Sequence, residues 1–364
     1  MVRSARGPSP SLRPPSGRDL WHRPEGPPAL PAQWDLRERL SRRCVMSTPL
    51  ATELGVRRLL VAAGHAPSVL NTQPWRFDVV RHEIVELFAD PDRRLRVSDP
   101  RGRSLHVSCG AALFNLRLAV RAAGQRPVVW LLPSPDEEPD LLAAVRMTDA
   151  RPSSGEQREL YDLIWERRTN REPYYSRPVP SSVIAELRIA ASREGANLLP
   201  LDRRGAADIM DYAAIAEEEL SGDHDYQAEL AAWTMPGARY DGVPAYVHGP
   251  RPTGEPAPVR DFGRHTTKAR FEERPQLAVL TTPGDRPIDW LRAGQALQRL
   301  LLVATRYGLS ASFLNQPLDL RDMRQRRDPH HRRGHPQMII RLGYGPYVAR
   351  SPRRPATELE SSHV

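Results

Sequence analysis

The chain has 364 residues, 40% of them hydrophobic, and carries 53 lysines and arginines against 44 aspartates and glutamates, a formal charge of +9 with a pI near 10.0. That length exceeds one ordinary core and suits two units of roughly 150 residues each. A mean hydropathy of −0.55, with no run near the ~18 apolar residues of a spanning helix, excludes a helical membrane protein.

The two cysteines, Cys44 and Cys109, cannot form a disulfide framework and lack partners at metal-ligand spacing, which fits a reducing cytoplasm. Residues 1–45 hold nine arginines against four acids, so +5 of the +9 sits there among prolines and serines. Without an apolar period this stretch is expected to be a disordered extension, with Met46 as a candidate start of the folded part. Lys268 is the sole lysine, a compositional bias toward arginine rather than a designed basic face, so nucleic acid is not an expected partner. An anionic polymer held by the N-terminal arm is the weakest of three functional classes.

Leu54, Leu59, Leu60 and Ala63 recur at helical spacing within residues 51–65, and Pro67 ends the pattern. A loop at 67–74 leads into two alternating stretches, 75–80 and 83–88, expected to pair as a hairpin. Residues 108–123 form a strongly apolar helix closed by Gly124, followed by a strand at 127–132. A turn-rich stretch at 133–139 precedes a long connecting helix at 155–168, then helices at 181–193 and 206–220 and a strand at 276–282. A second apolar helix spans about 288–307, closes at Gly308 and feeds a strand at 309–314; a last strand covers 338–342.

These two helices repeat. Gly110, Ala112, Leu113, Leu116, Leu118 and Gly124 share the spacing of Gly294, Ala296, Leu297, Leu300, Leu302 and Gly308.

Three segments offer chemistry. In the loop Pro67-Ser68-Val69-Leu70-Asn71-Thr72-Gln73-Pro74-Trp75, stiffened by two prolines, Asn71 and Gln73 present amides that suit a flat heterocycle edge; an Asx-turn into a strand is the structural alternative. In Trp165-Glu166-Arg167-Arg168-Thr169-Asn170-Arg171, guanidinium forks and a hydroxyl suit a phosphate, while a solvated, cation-rich helix end is the bland reading. The third is the proline- and glycine-rich segment 235–266, too long for a plain connection and of the kind used as a lid. His330, His331 and His335 are flanked by arginines that oppose a metal, so no metal site is expected. Asp223-His224-Asp225 reads as an exposed polar turn.

The loop at 67–75 resembles the flavin loop of nitroreductases, and Arg167-Arg168-Thr169-Asn170-Arg171 resembles that family's phosphate-binding segment. The repeat helix at 294–308, with Phe313-Leu314-Asn315 after it, is similar to the family's approach to the flavin ring, and Arg353 and Arg354 to its late phosphate-binding positions. The first half keeps the loop and the second keeps the arginine motif, an order that resembles the Acg-like, single-chain branch; residues 103–113 and Tyr240-Asp241-Gly242-Val243-Pro244 also look like it.

The resemblance implies an α+β fold of two nitroreductase-like lobes, each a mostly antiparallel sheet packed with helices, forming an intrachain pseudo-dimer. Its expected domains are 46–155 and 156–357, with a tail at 358–364. It implies FMN held by Pro67, Ser68, Asn71, Gln73, Arg167, Arg168, Thr169, Arg171, Leu314, Asn315, Arg353 and Arg354, with one of the last two arginines on the phosphate. No catalytic side chain is expected, because flavin N5 carries the chemistry. NAD(P)H and an electron-poor, nitroaromatic-like acceptor would be the partners of a cytoplasmic, stress-related oxidoreductase, monomeric because fused. The alternative is a non-enzymatic protein that stores FMN beneath its lid.

Overall fold

The computed structural model describes residues 49–360 apart from 235–236, 238, 255–256, 264–266 and 326–333. The expected extension at 1–45, His330 and His331, and parts of the 235–266 and 358–364 segments lie outside the described residues.

The first lobe begins with α1 (Glu53–Gly64), capped by Thr52, whose Oγ1 accepts the Gly55 N–H at 3.1 Å. Strands β1 (Trp75–Val80) and β2 (Ile84–Ala89) form the expected antiparallel hairpin, with Trp75 and Phe77 buried and Arg76 exposed between them. Helix α2 (Arg103–Ala122) starts five residues before its predicted start. It opens on two polar residues: Arg103 and Ser104 are buried, and Asp99 accepts the Ser104 and Leu105 N–H groups at 3.1 and 2.8 Å. Strands β3 (Gln125–Leu131) and β4 (Leu141–Ala150) complete a four-stranded sheet in the order β1-β2-β4-β3, antiparallel throughout. The sequence reading assigned nothing to β4. Its residues 141–145 are buried on both faces, so the alternation that marks a half-buried strand is absent.

The second lobe contains α3 (Gly155–Leu163), α4 (Ser181–Ser192), β5 (Asn197–Pro200), α5 (Arg203–Ser221), α6 (His224–Thr234), the short parallel pair β6 (Arg251–Pro252) and β7 (Lys268–Ala269), β8 (Gln276–Thr282), α7 (Pro287–Arg306), β9 (Ser310–Phe313), α8 (Gln316–Met323) and β10 (His335–Gly343). Helix α3 ends five residues before the predicted 168, so the arginine motif leaves it as loop. The supposed polar turn at 223–225 is the start of α6, with Asp223 accepting the Tyr226 N–H at 2.9 Å.

The second sheet has the order β5-β8-β10-β9, also antiparallel. Its topology repeats the first: in each lobe the strand after the long helix takes one edge and the last strand pairs between it and the second.

Helices α2 and α7, each of 20 residues, pack against one another at the centre of the molecule. The glycines matched by the repeat meet at their crossing. A Cβ on Gly110 would lie 2.3 Å from the Leu291 carbonyl oxygen, and one on Gly294 would lie 2.0 Å from that of Val107. Leu291 and Val107 are themselves repeat equivalents, so the contact is self-complementary, as across a two-fold axis. Each lobe's core reaches over: Leu291 packs in the first, and Val107, Phe114 and Leu118 in the second. The chain is therefore the expected α+β intrachain pseudo-dimer. After β10 it returns to the first lobe, where the Phe77 N–H donates to the Leu359 carbonyl at 2.7 Å. Full burial of Leu359 contributes about 2 kcal/mol to holding that segment.

Candidate functional site

The loop between α1 and β1 has an unusual backbone. Leu70, Asn71 and Gln73 have φ of 45°, 53° and 49°, left-handed conformations that cost non-glycine residues roughly 1–2 kcal/mol each. Local bonds hold them there. Ser68 Oγ accepts the Gln73 N–H at 2.9 Å, and Ser108 Oγ of α2 accepts the Val69 N–H at 3.1 Å. The Asn71 side-chain amide donates to Gly242 O at 2.9 Å, and the Gly242 N–H returns a bond to Asn71 O at 3.2 Å. Gly242 has φ of 72°, and a Cβ there would meet the Trp233 carbonyl oxygen at 2.6 Å, so only glycine fits.

Between this loop and the second lobe are two adjoining cavities. The smaller, about 410 Å³ including its open mouth, is lined by Pro67, Ser68 and Asn71, by Arg167, Arg168, Thr169 and Arg171, and by Val243, Arg350, Ser351 and Arg353. The larger, about 840 Å³ on the same basis, shares Pro67, Ser68, Thr169 and Arg171. Its walls are Val69 and Leu70 of the loop, Ser104, Val107 and Ser108 of α2, Leu297 of α7, Ser312 and Phe313 of β9, Asn315, and Met338 of β10. Val259, Arg260 and Phe262, from the segment read as a lid, face the same space, and Arg260 forms an ion pair with Asp319 of α8. Phe262 packs with Leu70, Leu95, Val243, Val247 and Leu320 in a small separate core, stacks on His248 at 5.0 Å and lies under the Arg171 guanidinium at 5.0 Å.

The small cavity is strongly cationic. Among the described residues no aspartate or glutamate lies within ion-pair distance of Arg167, Arg168, Arg171, Arg350 or Arg353. Arg167 is only 5% exposed, and its Nε and Nη1 have no hydrogen-bond partner. Burial, then Arg353, Arg168 and Arg350, lowers its pKa to about 9. Burial and neighbouring arginines likewise bring Arg353 to about 10, and burial with Arg260 brings Arg171 to about 10. Beside them, His65 is lowered to about 4 by burial and by Arg353, Arg350 and Arg167, although Nδ1 contacts the Val61 carbonyl at 2.8 Å. Desolvated cations without counter-charges are costly unless an anion completes them.

The sequence-predicted residues divide. Pro67, Ser68, Asn71, Arg167, Arg168, Thr169, Arg171, Asn315 and Arg353 line the cavities. Gln73 does not: it is fully buried, its Nε2 donates to Tyr240 O at 2.7 Å, and its Oε1 accepts the Arg354 N–H at 2.9 Å. Asn71 Oδ1 accepts from Arg353 at 3.0 Å. Both amides therefore fix the loop instead of offering free edges to a ring. Leu314 lies buried behind the wall, its N–H donated to Ile339 O at 3.0 Å. Arg354 points elsewhere, donating to the Gln73, Trp75 and Glu358 carbonyls with Asp90 3.8 Å away, so of the two late arginines only Arg353 reaches the pocket. Arg350, Ser104, Ser108, Arg260 and Phe262 were not singled out as site residues, although Ser104 and Ser108 lie in the 103–113 segment and Arg260 and Phe262 in the 235–266 segment.

Two lobes related by a pseudo-two-fold, with an arginine-lined pocket at their junction, define a fused pseudo-dimer. The model of the "Nitroreductase family" matches residues 36–96. "Putative NAD(P)H nitroreductase Rv3131" of Mycobacterium tuberculosis is 33% identical over 328 residues, covering 88% of this chain and 93% of the relative. "Putative NAD(P)H nitroreductase acg" of the same organism is 28% identical over 86% of this chain and 97% of its own length. A solved nitroreductase with bound FMN from Desulfitobacterium hafniense is similar at a TM-score of 0.35 and 12% identity, covering 57% of this chain and 98% of that one. The chain belongs to the nitroreductase family, in its Acg-like branch. Among the described residues no helix is long and apolar enough to cross a membrane, and no group of three histidine, cysteine or acidic side chains could hold a metal.

Proposed function

We propose that this protein binds FMN at the lobe junction and works as an NAD(P)H-dependent oxidoreductase on nitroaromatic or similar electron-poor compounds. One observation carries the reading: a buried Arg167 and the half-buried Arg171 and Arg353, none with a carboxylate partner among the described residues, converge on a pocket that adjoins a wider, largely apolar cavity. A phosphate completes the unpartnered Nε and Nη1 of Arg167, and a flat ring suits walls made by Val107, Leu297, Phe313 and Met338. When bound, FMN supplies the redox exchange between nicotinamide and acceptor. Arg167, Arg171 and Arg353 hold the phosphate, Thr169 adds a hydroxyl donor, Asn71 orients Arg353, and Arg168 stands beside them on the Trp165 carbonyl. Pro67, Ser68 and Leu70 form one wall of the ring cavity, and Asn315 stands at another. No side chain is required as a proton donor in the redox step.

A second reading, flavin storage, is favoured by one feature: Val259, Arg260 and Phe262 stand over the ring cavity, with Arg260 tied to Asp319. Under either reading the fused lobes make a second copy unnecessary, so we expect a monomer; the buried, unpaired Cys109 accords with a cytoplasmic protein.

Titration of the apoprotein with FMN and with riboflavin tests the phosphate assignment. FMN is expected to bind at least 100-fold more tightly, about 3 kcal/mol, the scale of charge-assisted forks. Equal affinities would refute it.

A further inference from the structure

The five arginines of the small cavity fall into two groups. Arg167 is buried and Arg171 and Arg353 are half-buried, and desolvation lowers the pKa of all three. Arg168 and Arg350 stand together at the outer side. Both donate to the same acceptor, the Trp165 carbonyl oxygen, at 2.7 and 2.5 Å, which holds two like charges side by side. Among the described residues neither forms an ion pair with a carboxylate, and Arg168 Nε is buried with no hydrogen-bond partner. Two exposed aromatic rings flank the pair. Tyr347 hydrogen-bonds to Arg168 and is 89% exposed; Tyr246 donates to the Arg350 carbonyl at 3.3 Å and is 62% exposed. A single phosphate dianion leaves about three of the five positive charges in this cavity unmatched.

We infer that Arg168 and Arg350 form a second, outer phosphate site contiguous with the inner one, with Tyr347 and Tyr246 placed to stack on a nucleoside base. The ligand class is a nucleotide with two linked phosphates. This rests on the reading of the inner pocket as a phosphate site. Two guanidinium groups held on one carbonyl each keep further N–H donors for a phosphate, and an exposed tyrosine beside them offers a face for a purine. The second phosphate belongs either to the flavin cofactor, as its adenylylated form, or to the dinucleotide that supplies electrons.

The test uses the full chain and its Arg168→Ala/Arg350→Ala double variant, with thermal unfolding followed against sodium orthophosphate and pyrophosphate at constant ionic strength. In the wild type, half-maximal stabilisation is expected at a pyrophosphate concentration at least tenfold below that for orthophosphate. The ratio should drop below threefold in the double variant, which retains the inner arginines. A wild-type ratio near one, or a tenfold ratio that survives in the variant, overturns the outer site. If neither anion stabilises the wild type, the inner reading fails as well, an outcome distinct from equal stabilisation by both. Fluorescence titration then separates the sources. FAD binding tenfold more tightly than FMN, in the wild type only, assigns the outer phosphate to the flavin; equal flavin affinities with a tenfold rise in the KM for NADPH in the double variant assign it to the donor. Absence of both shifts overturns the assignment to a nucleotide.

Discussion

Replacing Gly294 with alanine adds one methyl group at the crossing of α2 and α7, 2.0 Å from the Val107 carbonyl oxygen and 2.8 Å from Gly110 Cα. Both obstacles are backbone, so no rotamer change can relieve the clash, and the helices must separate by about 1 Å to restore ordinary contact. Overpacking of this kind costs about 1–3 kcal/mol, against which alanine's better helix propensity returns about 1. With both obstacles in backbone the cost falls at the upper end, so the net loss is about 2 kcal/mol, a fall in Tm of roughly 3 °C for a chain of 364 residues at about 2.1 cal/mol/K of unfolding entropy per residue. The effect extends to the site, because Ser104, Val107 and Ser108 of α2 and Leu297 of α7 line the same cavity; flavin affinity should fall about tenfold. Gly110→Ala should behave alike, and the double variant should be less damaging than additivity implies, since one separation accommodates both methyls. Gly155→Ala, where nothing lies within 4 Å of the new methyl, is the control and should be neutral or slightly stabilising. Differential scanning calorimetry and flavin titration give the answer. Tm values within 1 °C of wild type for both glycine variants, with unchanged flavin affinity, would refute the close crossing as the element that sets the site.

Arg167→Ala should weaken FMN binding about 100-fold, the cost of removing one partner of a buried charge pair, yet leave the apoprotein at least as stable, since the native side chain is a buried cation with two unpartnered nitrogens; calorimetry with and without FMN checks both halves. His65, with its folded pKa lowered to about 4 from 6.5, contributes stability that is present above pH 6.5 and lost as pH falls through 4. About 3 kcal/mol should disappear over that window, a His65→Gln variant should show a flatter profile in urea unfolding, and phosphate should reduce the loss by screening the neighbouring arginines. Breaking the lid's ion pair with Arg260→Ala should speed anaerobic flavin reduction by NADPH several-fold in stopped flow if the 235–266 segment limits access; an unchanged rate would show that the pair does not gate the cavity.

The loop at 67–75 and the arginine motif were legible because their residue types are chemically unusual in such short stretches, and the pseudo-two-fold was legible because Gly110 and Gly294 hold the same place in two apolar helices. Strand β4 was not legible: a strand buried on both faces carries no alternation. Nor was the start of α2, where buried polar residues, Arg103 and Ser104, stand in for apolar ones. The directions of Gln73 and Arg354 depend on carbonyl groups brought near from distant segments, Tyr240 and Glu358 among them, and adjacent arginines in sequence do not reveal which one faces a pocket. Arg260 and Phe262 reach the cavity only through the packing of the 235–266 segment on Leu70 and Leu95, which local pattern does not encode.

The central claim, a reducible flavin at the lobe junction, is tested most directly by the visible absorption spectrum of the purified protein, reconstituted with FMN where needed, before and after anaerobic addition of NADPH. Flavin bands that bleach on addition are the expected result; bands that persist with both NADPH and NADH would contradict the oxidoreductase and leave the lidded store, and a protein that takes up no flavin at all would contradict the site itself.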